Sequence, residues 1–246
     1  MLNFFIYLNK MKDLISVCIT TKNEEDYIGF CLESILNQTY DGNKEIIVLD
    51  SNSCDKTVEI ARKYADKVVV KESTIPQGRN LAVKQSEGNI LCFLDADIVL
   101  SEDWFDTLLP YIYSSQNVAI CGDLDPLEKS LKSEVFHCYQ HIAYRVLQVI
   151  KKPIYSQMAT AVLIKRNVFE RVDGFREDLT FAEDFDLSLR LSRYGKLKYV
   201  KNAKGFVSMR RLERYGYLNM LYIWGSSLPL IFGKIPPLPL YTRDFP

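Results

Sequence analysis

Ile90–Leu100, ILCFLDADIVL, is the stretch on which the chain turns. Five apolar residues run into Asp95-Ala96-Asp97, a second apolar run follows, and Glu87-Gly88-Asn89 marks a turn before it. A continuous apolar run bounded by turn signals fits a strand buried on both faces, as in a parallel sheet. Carboxylates at the end of such a strand are costly unless compensated. In open α/β sheets the carboxyl ends of strands are where ligands bind. A divalent cation carrying a phosphate-bearing ligand would compensate them, since hard oxygens suit Mg²⁺ or Mn²⁺. Taken alone, the pair reads sooner as exposed turn acids that cap the next helix than as a metal site.

The flanking sequence supplies the rest of an α/β pattern. Leu14–Thr21 (LISVCITT) is β-branched and apolar, and Glu45–Asp50 (EIIVLD) is a second strand ending in a carboxylate. Lys67–Lys71, Val118–Cys121, Ala159–Lys165 and Lys198–Val200 are further strands. Between them, Ile28, Cys31, Leu32, Ile35 and Leu36 recur at helical spacing, with Asn23 a candidate cap, and Gln77-Gly78-Arg79-Asn80 opens a helix that Gly88 ends. Residues 103–115 and 181–194 also read as helical. Strands alternating with helices predict an α/β fold, a mostly parallel, doubly wound sheet with helices on both faces.

Composition narrows the function classes. A length of 246 residues suits one large domain, and a formal net charge of zero leaves no nucleic-acid footprint. The six cysteines form no C-x-x-C and read as buried free thiols of a reducing compartment rather than a disulfide or zinc framework. The first 13 residues lack the basic lead and cleavage site of a signal peptide, and either Met1 or Met11 serves as a start. His137 and His141, at i and i+4, can hold zinc on one helix face, against packing within a helix over residues 127–150. From Tyr215 to Gly233 the chain is uncharged and rich in Tyr, Trp, Leu and Ile, with Arg210, Arg211 and Arg214 just before it. That composition suits either a membrane-interfacial segment or a C-terminal helix packed on protein.

Several carboxylates share one predicted sheet edge: Asp50 ends the second strand, Asp95 and Asp97 the central one, and Glu183-Asp184 opens a later helix. The chemistry this suits is displacement of a phosphorylated leaving group, a metal neutralising the diphosphate and a separate carboxylate deprotonating an incoming hydroxyl.

With ITTKNEE, LDSNSCDKT, QGRN, LDADIVL and FAEDFDLSLRL in that order, the chain resembles family 2 glycosyltransferases of the GT-A fold over about residues 15–208. The resemblance implies an inverting transfer from a nucleoside-diphosphate sugar, UDP- or GDP-linked, to a glycan or lipid-linked acceptor. Thr20, Thr21 and Glu24 then match the nucleoside pocket, Asp50 the carboxylate facing the base, Arg79 the arginine near it and Asp95 the residue near the ribose. Asp97 matches the ligand of Mg²⁺ or Mn²⁺, with Asp95 beside it. Asp184 matches the catalytic base and Glu183 a supporting acid. Many family members carry a histidine near the strand after the E-D helix; GFVSMRR has Ser208 there, with Arg210 and Arg211 as candidates for diphosphate contact. The expected organisation is an N-terminal extension over residues 1–13, the transferase domain over 14–208 and an apolar segment over 209–246. The expected location is the cytoplasmic face of a membrane. The alternative is a catalytically silent relative acting as a nucleotide-sugar-binding or scaffold protein. A nucleotidyltransferase falls behind, since TTKNEE lacks a glycine-rich phosphate loop.

Overall fold

A computed structural model describes residues 13–135, 137–139, 142, 160–179, 182–216 and 219. Its strands are β1 (Leu14–Thr21), β2 (Asn43–Asp50), β3 (Lys67–Val70), β4 (Ile90–Asp95), β5 (Ile98–Leu100), β6 (Asn117–Pro126), β7 (Ala161–Lys165) and β8 (Lys196–Val207). The helices are α1 (Ile28–Leu36), α2 (Thr57–Ala61), α3 (Ile75–Lys84), α4 (Trp104–Ile112), α5 (Arg166–Arg171), α6 (Glu183–Leu191) and α7 (Arg210–Tyr215). One sheet joins the strands in the order β3-β2-β1-β4-β7-β6-β8-β5.

The sheet is mixed α/β. β3, β2, β1 and β4 pair in parallel, as does β6 with β8. β7 enters antiparallel between β4 and β6, and β5 lies antiparallel to β8 at the far edge. The apolar run of Ile90–Leu100 is therefore split. β4 lies mid-sheet, Asp95-Ala96-Asp97 makes the turn, and the three residues of β5 pair at the other end.

Side-chain alternation sorts the core into two layers. Ile15, Val17 and Ile19 of β1 and Cys92 and Leu94 of β4 face α1 and α4, where Leu32, Ile35, Trp104, Phe105 and Leu108 are buried. Cys18, Ile47, Leu49, Leu91 and Phe93 face the other way, against Ala82 of α3, Phe169 of α5 and Leu187 and Leu191 of α6. Phe93 anchors that second layer, with ring centroids 5.3 Å from Phe169 and 5.1 Å from Phe175. Helices on both faces fulfil the sequence expectation.

Three local expectations are corrected. Asn23 does not cap a helix: α1 begins at Ile28 without a side-chain cap, and Asn23 holds a left-handed backbone (φ 54°) that asparagine tolerates. Its Oδ1 accepts from Cys54 N at 2.9 Å and its own N–H donates to Ser53 Oγ at 2.8 Å, so it ties β1 to the loop after β2. Gly88 does not end α3, which closes at Lys84. A Cβ at Gly88 would lie 2.4 Å from Leu14 O and 2.5 Å from Ser16 Oγ, so the glycine lets the chain cross β1 closely. Of the six free cysteines, Cys18, Cys31, Cys92 and Cys121 are buried, but Cys54 and Cys138 are exposed. Residues 131–135 and 137–139 are helical, as expected. His141 and the segments 1–12 and 220–246 lie outside the described residues, and among the described residues no helix is long and apolar enough to cross a membrane.

Candidate functional site

The parallel register builds the site. Thr21 stands beside Asp50 across β1 and β2, and Thr20 beside Asp95 across β1 and β4. With strands roughly 5 Å apart, the two carboxylate-bearing residues sit roughly 10 Å apart on one carboxyl edge. Asp50 is fully buried and is held by Ser53, whose N–H donates to Oδ1 at 2.8 Å and whose hydroxyl donates to Oδ2. Thr21 Oγ1 is buried and has no hydrogen-bond partner among the described residues.

A capping box prepares α3: Thr74 Oγ1 accepts from Gln77 N while Gln77 reaches back to Thr74 N, with Pro76 in the first turn. This start delivers Arg79 into the edge, where it is 4% exposed. Nη2 donates to Asp95 Oδ1 at 2.9 Å and Nη1 to Glu183 Oε1 at 2.8 Å, and the guanidinium lies 5.3 Å from the Phe175 ring centroid. Burial alone would lower the Arg79 pKa; Asp95 and Glu183 outweigh it and raise it. Both outer nitrogens of the fork are thus committed to carboxylates. Asn80, which the sequence did not single out, bonds both the N–H and the carbonyl of Phe175 and fixes the turn leading to α6.

Glu183 and Asp184 open α6 immediately after Ala182, which is left-handed (φ 58°). A non-glycine residue held there marks local strain of the kind found at functional sites. Burial pushes the Asp184 carboxyl up to about 8, and the neighbouring Glu183 adds to the rise. Phe185 N donates to Asp184 Oδ1 at 2.8 Å. Burial also raises the Asp95 carboxyl, Arg79 opposing and Asp97 adding.

A second group forms around Glu24 and Asp97, which are 7% and 4% exposed. Arg210 Nη2 donates to Glu24 Oε2 and lies 3.5 Å from Asp97 Oδ2; Arg211 Nη2 lies 3.8 Å from Glu24 and 3.9 Å from Asp97. Burial raises the Glu24 carboxyl, Asp97 adding and Arg210 opposing. Ser208 does not turn its hydroxyl to Asp97. Its N–H donates to the Asp97 carbonyl at 3.1 Å, while Oγ donates to Glu128 Oε1 at 3.1 Å. Glu128, unmarked in the sequence, also accepts from Met209 N at 2.7 Å. Of the residues singled out for the edge, Arg79 gathers with Asp95, Glu183 and Asp184, and Arg210 and Arg211 gather with Glu24 and Asp97, while Asp50, Thr20 and Thr21, at the ends of β1 and β2, belong to neither group.

Asp123, Asp125 and His137 also gather, one ligand atom of each within 4.8 Å of the others. Lys204 Nζ lies 2.7 Å from Asp123 and 3.0 Å from Asp125. The ammonium already supplies that cluster's cation, so a dication would have to expel it. His137 Nε2 lies 3.2 Å from Asp125, and the other half of the two-histidine face, His141, lies outside the described residues.

The fold and its charged carboxyl edge define a GT-A protein. Two solved structures share the architecture. The mannosyltransferase PcManGT of Pyrobaculum calidifontis, solved with GDP-Man and Mn²⁺, matches with TM-score 0.66 and 20% identity over 92% of this chain and 66% of that one. TarS of Staphylococcus aureus, solved with UDP-GlcNAc, matches with TM-score 0.61 and 20% identity over 79% and 58%. The chain belongs to glycosyl transferase family 2, whose model covers residues 16–173. Glycosyltransferase AglE of Haloferax volcanii is 37% identical over 261 aligned residues, covering 94% of this chain and 84% of its own length. The chain spans only 39% and 27% of the lengths of two other bacterial glycosyltransferases that it matches.

Proposed function

We propose that the chain is an inverting transferase that moves a sugar from a UDP- or GDP-linked donor to an acceptor hydroxyl or lipid phosphate, with Mg²⁺ or Mn²⁺ held at Asp97. The observation that carries this reading is Asp184, its carboxyl pushed up to about 8, standing beside the Arg79–Asp95–Glu183 bridge at the ligand-binding edge of the sheet. The donor classes follow PcManGT and TarS, solved with GDP-Man and UDP-GlcNAc. The orphaned Thr21 hydroxyl and the pinned Asp50 carboxylate offer partners for the nucleoside, with Thr20 and Asp95 next along the edge.

In its ionised form Asp184 takes the proton of the acceptor hydroxyl. The acceptor oxygen attacks the anomeric carbon from the face opposite the nucleoside diphosphate, which inverts the configuration. Arg79 sets the distance between the donor side, at Asp95, and the acceptor side, at Glu183. A lipid phosphate acceptor is already ionised, and there Asp184 orients rather than deprotonates. The hard oxygens of Asp97 and Glu24 fit Mg²⁺ or Mn²⁺, which when bound supplies charge neutralisation for the leaving diphosphate. Attachment to a membrane face is supported by the apolar sequence from Tyr215 to Gly233 and by Leu131, Val135, Tyr139 and Ile142, all exposed at helical spacing.

A melting screen of UDP, GDP and their sugars with Mn²⁺, followed by transfer assays, tests the proposal. A cognate ligand at a hundred times its dissociation constant stabilises the fold by about 2.7 kcal/mol. Asp97→Ala and Asp184→Asn are expected to abolish transfer. Donor binding without turnover in the wild type would favour the silent relative, and wild-type rates in both variants would remove the assigned roles. Flotation with anionic liposomes tests the membrane face; failure to float refutes it.

A further inference from the structure

Arg210 serves two buried carboxylates that arrive from different parts of the chain. Glu24 follows β1 and Asp97 follows β4, yet one guanidinium nitrogen bonds the first and lies 3.5 Å from the second. The placement is built rather than incidental. Ser208 N is bonded to the Asp97 carbonyl, Glu128 grips Ser208 and Met209, and the Arg210 guanidinium stacks 4.5 Å from the Tyr27 ring centroid. Arg210 Nε, meanwhile, is buried without a hydrogen-bond partner among the described residues. A donor N–H is therefore left over beside the same carboxylates.

We propose that Arg210 makes the binding of the divalent cation and of the donor diphosphate interdependent. The inference rests on Asp97 as the metal-holding residue. A dication on Asp97 Oδ2 would stand next to a guanidinium that is itself only 3.5 Å from that oxygen. Like charges at such range in a poorly solvated pocket repel strongly, so cation entry alone is opposed. A diphosphate brings negative charge between the two and offers acceptors to the unfilled Arg210 Nε, for which an arginine fork is suited. Each ligand then raises the affinity for the other, and by linkage the factor is the same in both directions.

Titration of the full chain with Mn²⁺, reading free Mn²⁺ by electron paramagnetic resonance, tests this with and without UDP and GDP. The data are corrected for Mn²⁺–nucleotide complexes in solution. In the wild type, whichever nucleotide binds is expected to tighten Mn²⁺ at least tenfold. Arg210→Gln is expected to bind Mn²⁺ alone at least tenfold more tightly and to lose most of that coupling, while Arg210→Lys keeps it. Arg211→Gln, at the more exposed position 3.9 Å from Asp97, shifts the same way by less, and decides the matter if Arg210→Gln does not fold. Unchanged or weaker Mn²⁺ binding in the glutamine variants, with binding lost in Asp97→Asn, overturns the role of Arg210 alone. Wild-type Mn²⁺ binding in Asp97→Asn overturns the metal assignment and the inference together.

Discussion

Replacing Asp184 with asparagine should remove activity and stabilise the protein, the second effect depending on pH. The carboxyl titrates near 3.8 when solvated and is pushed up to about 8 by burial and by Glu183. At about 1.4 kcal/mol per pH unit, ionising it in the fold costs at most about 6 kcal/mol. Local relaxation and water entry reduce this, and the expected gain for Asp184→Asn at pH 9 is about 2 kcal/mol. Between pH 4 and 8 the folded chain keeps a proton that the unfolded chain has lost, so wild-type stability falls as pH rises. The variant carries no such penalty. Its advantage should be absent near pH 4, grow through pH 8 and then level off. Asparagine preserves shape and can still accept the Phe185 N–H at Oδ1, so the comparison is local. Urea unfolding at pH 5, 7 and 9 reads the stability, and a transfer assay should show a loss of about 10²–10⁴-fold. In the wild type, kcat/KM should rise with pH towards about 8 as the base ionises. A stability difference that is the same at pH 5 and 9, or a variant weaker at pH 9, would refute the buried-base account.

Other perturbations separate structural from functional charge. Arg79→Gln leaves Asp95 and Glu183 partly buried without their shared cation and should cost about 3–5 kcal/mol in urea unfolding, with Glu183→Gln added in the same chain recovering part of it. Lys204→Ala should cost about 2–3 kcal/mol, because Asp123 is 1% exposed and loses its ammonium. EDTA should leave the donor-free melting temperature unchanged; a drop on chelation that persists in Asp97→Ala would instead mark Asp123, Asp125 and His137 as a metal site. Gly88→Ala forces a Cβ against Leu14 O and Ser16 and should cost about 2–3 kcal/mol by the same measurement.

The parallel half of the sheet was legible because β1, β2 and β4 are apolar, β-branched runs that need burial on both faces. The antiparallel half was not. Periodicity says that Ala161–Lys165 is a strand, but nothing in AVLIK says that it slots between β4 and β6. Likewise ILCFLDADIVL shows two apolar runs about a turn, and only tertiary pairing sends Ile98–Leu100 to β8 at the opposite edge. In the site, Asp50, Asp95 and Asp184 each sit in a motif at an element end, where sequence and position coincide, and Arg79 sits in the middle of α3. The Arg210–Glu24 contact spans 186 residues and joins two segments by packing alone. Asn23 misled for a different reason: its side chain can cap a helix or stabilise a left-handed turn, and which one wins depends on Ser53 and Cys54 arriving from the next strand.

Charge at the carboxyl edge links the fold to the proposed reaction. Glu24, Asp50, Asp95, Asp97, Glu183 and Asp184 gather there against the guanidiniums of Arg79, Arg210 and Arg211. Arg79 is consumed inside the wall, and Arg210 and Arg211 are held at Glu24 and Asp97. Left so, the edge would repel a diphosphate. A donor can settle only if positive charge accompanies it or is released to it, which in the proposed reading a dication at Asp97 and the Arg210 guanidinium would provide together. The raised Asp184 carboxyl fits the same balance: burial, with Glu183 adding, keeps it protonated up to a pH of about 8, and its ionised form is the one proposed to take the acceptor's proton. With Arg79, Arg210 and Arg211 all held by carboxylates among the described residues, donor affinity should track the divalent cation more steeply than ionic strength.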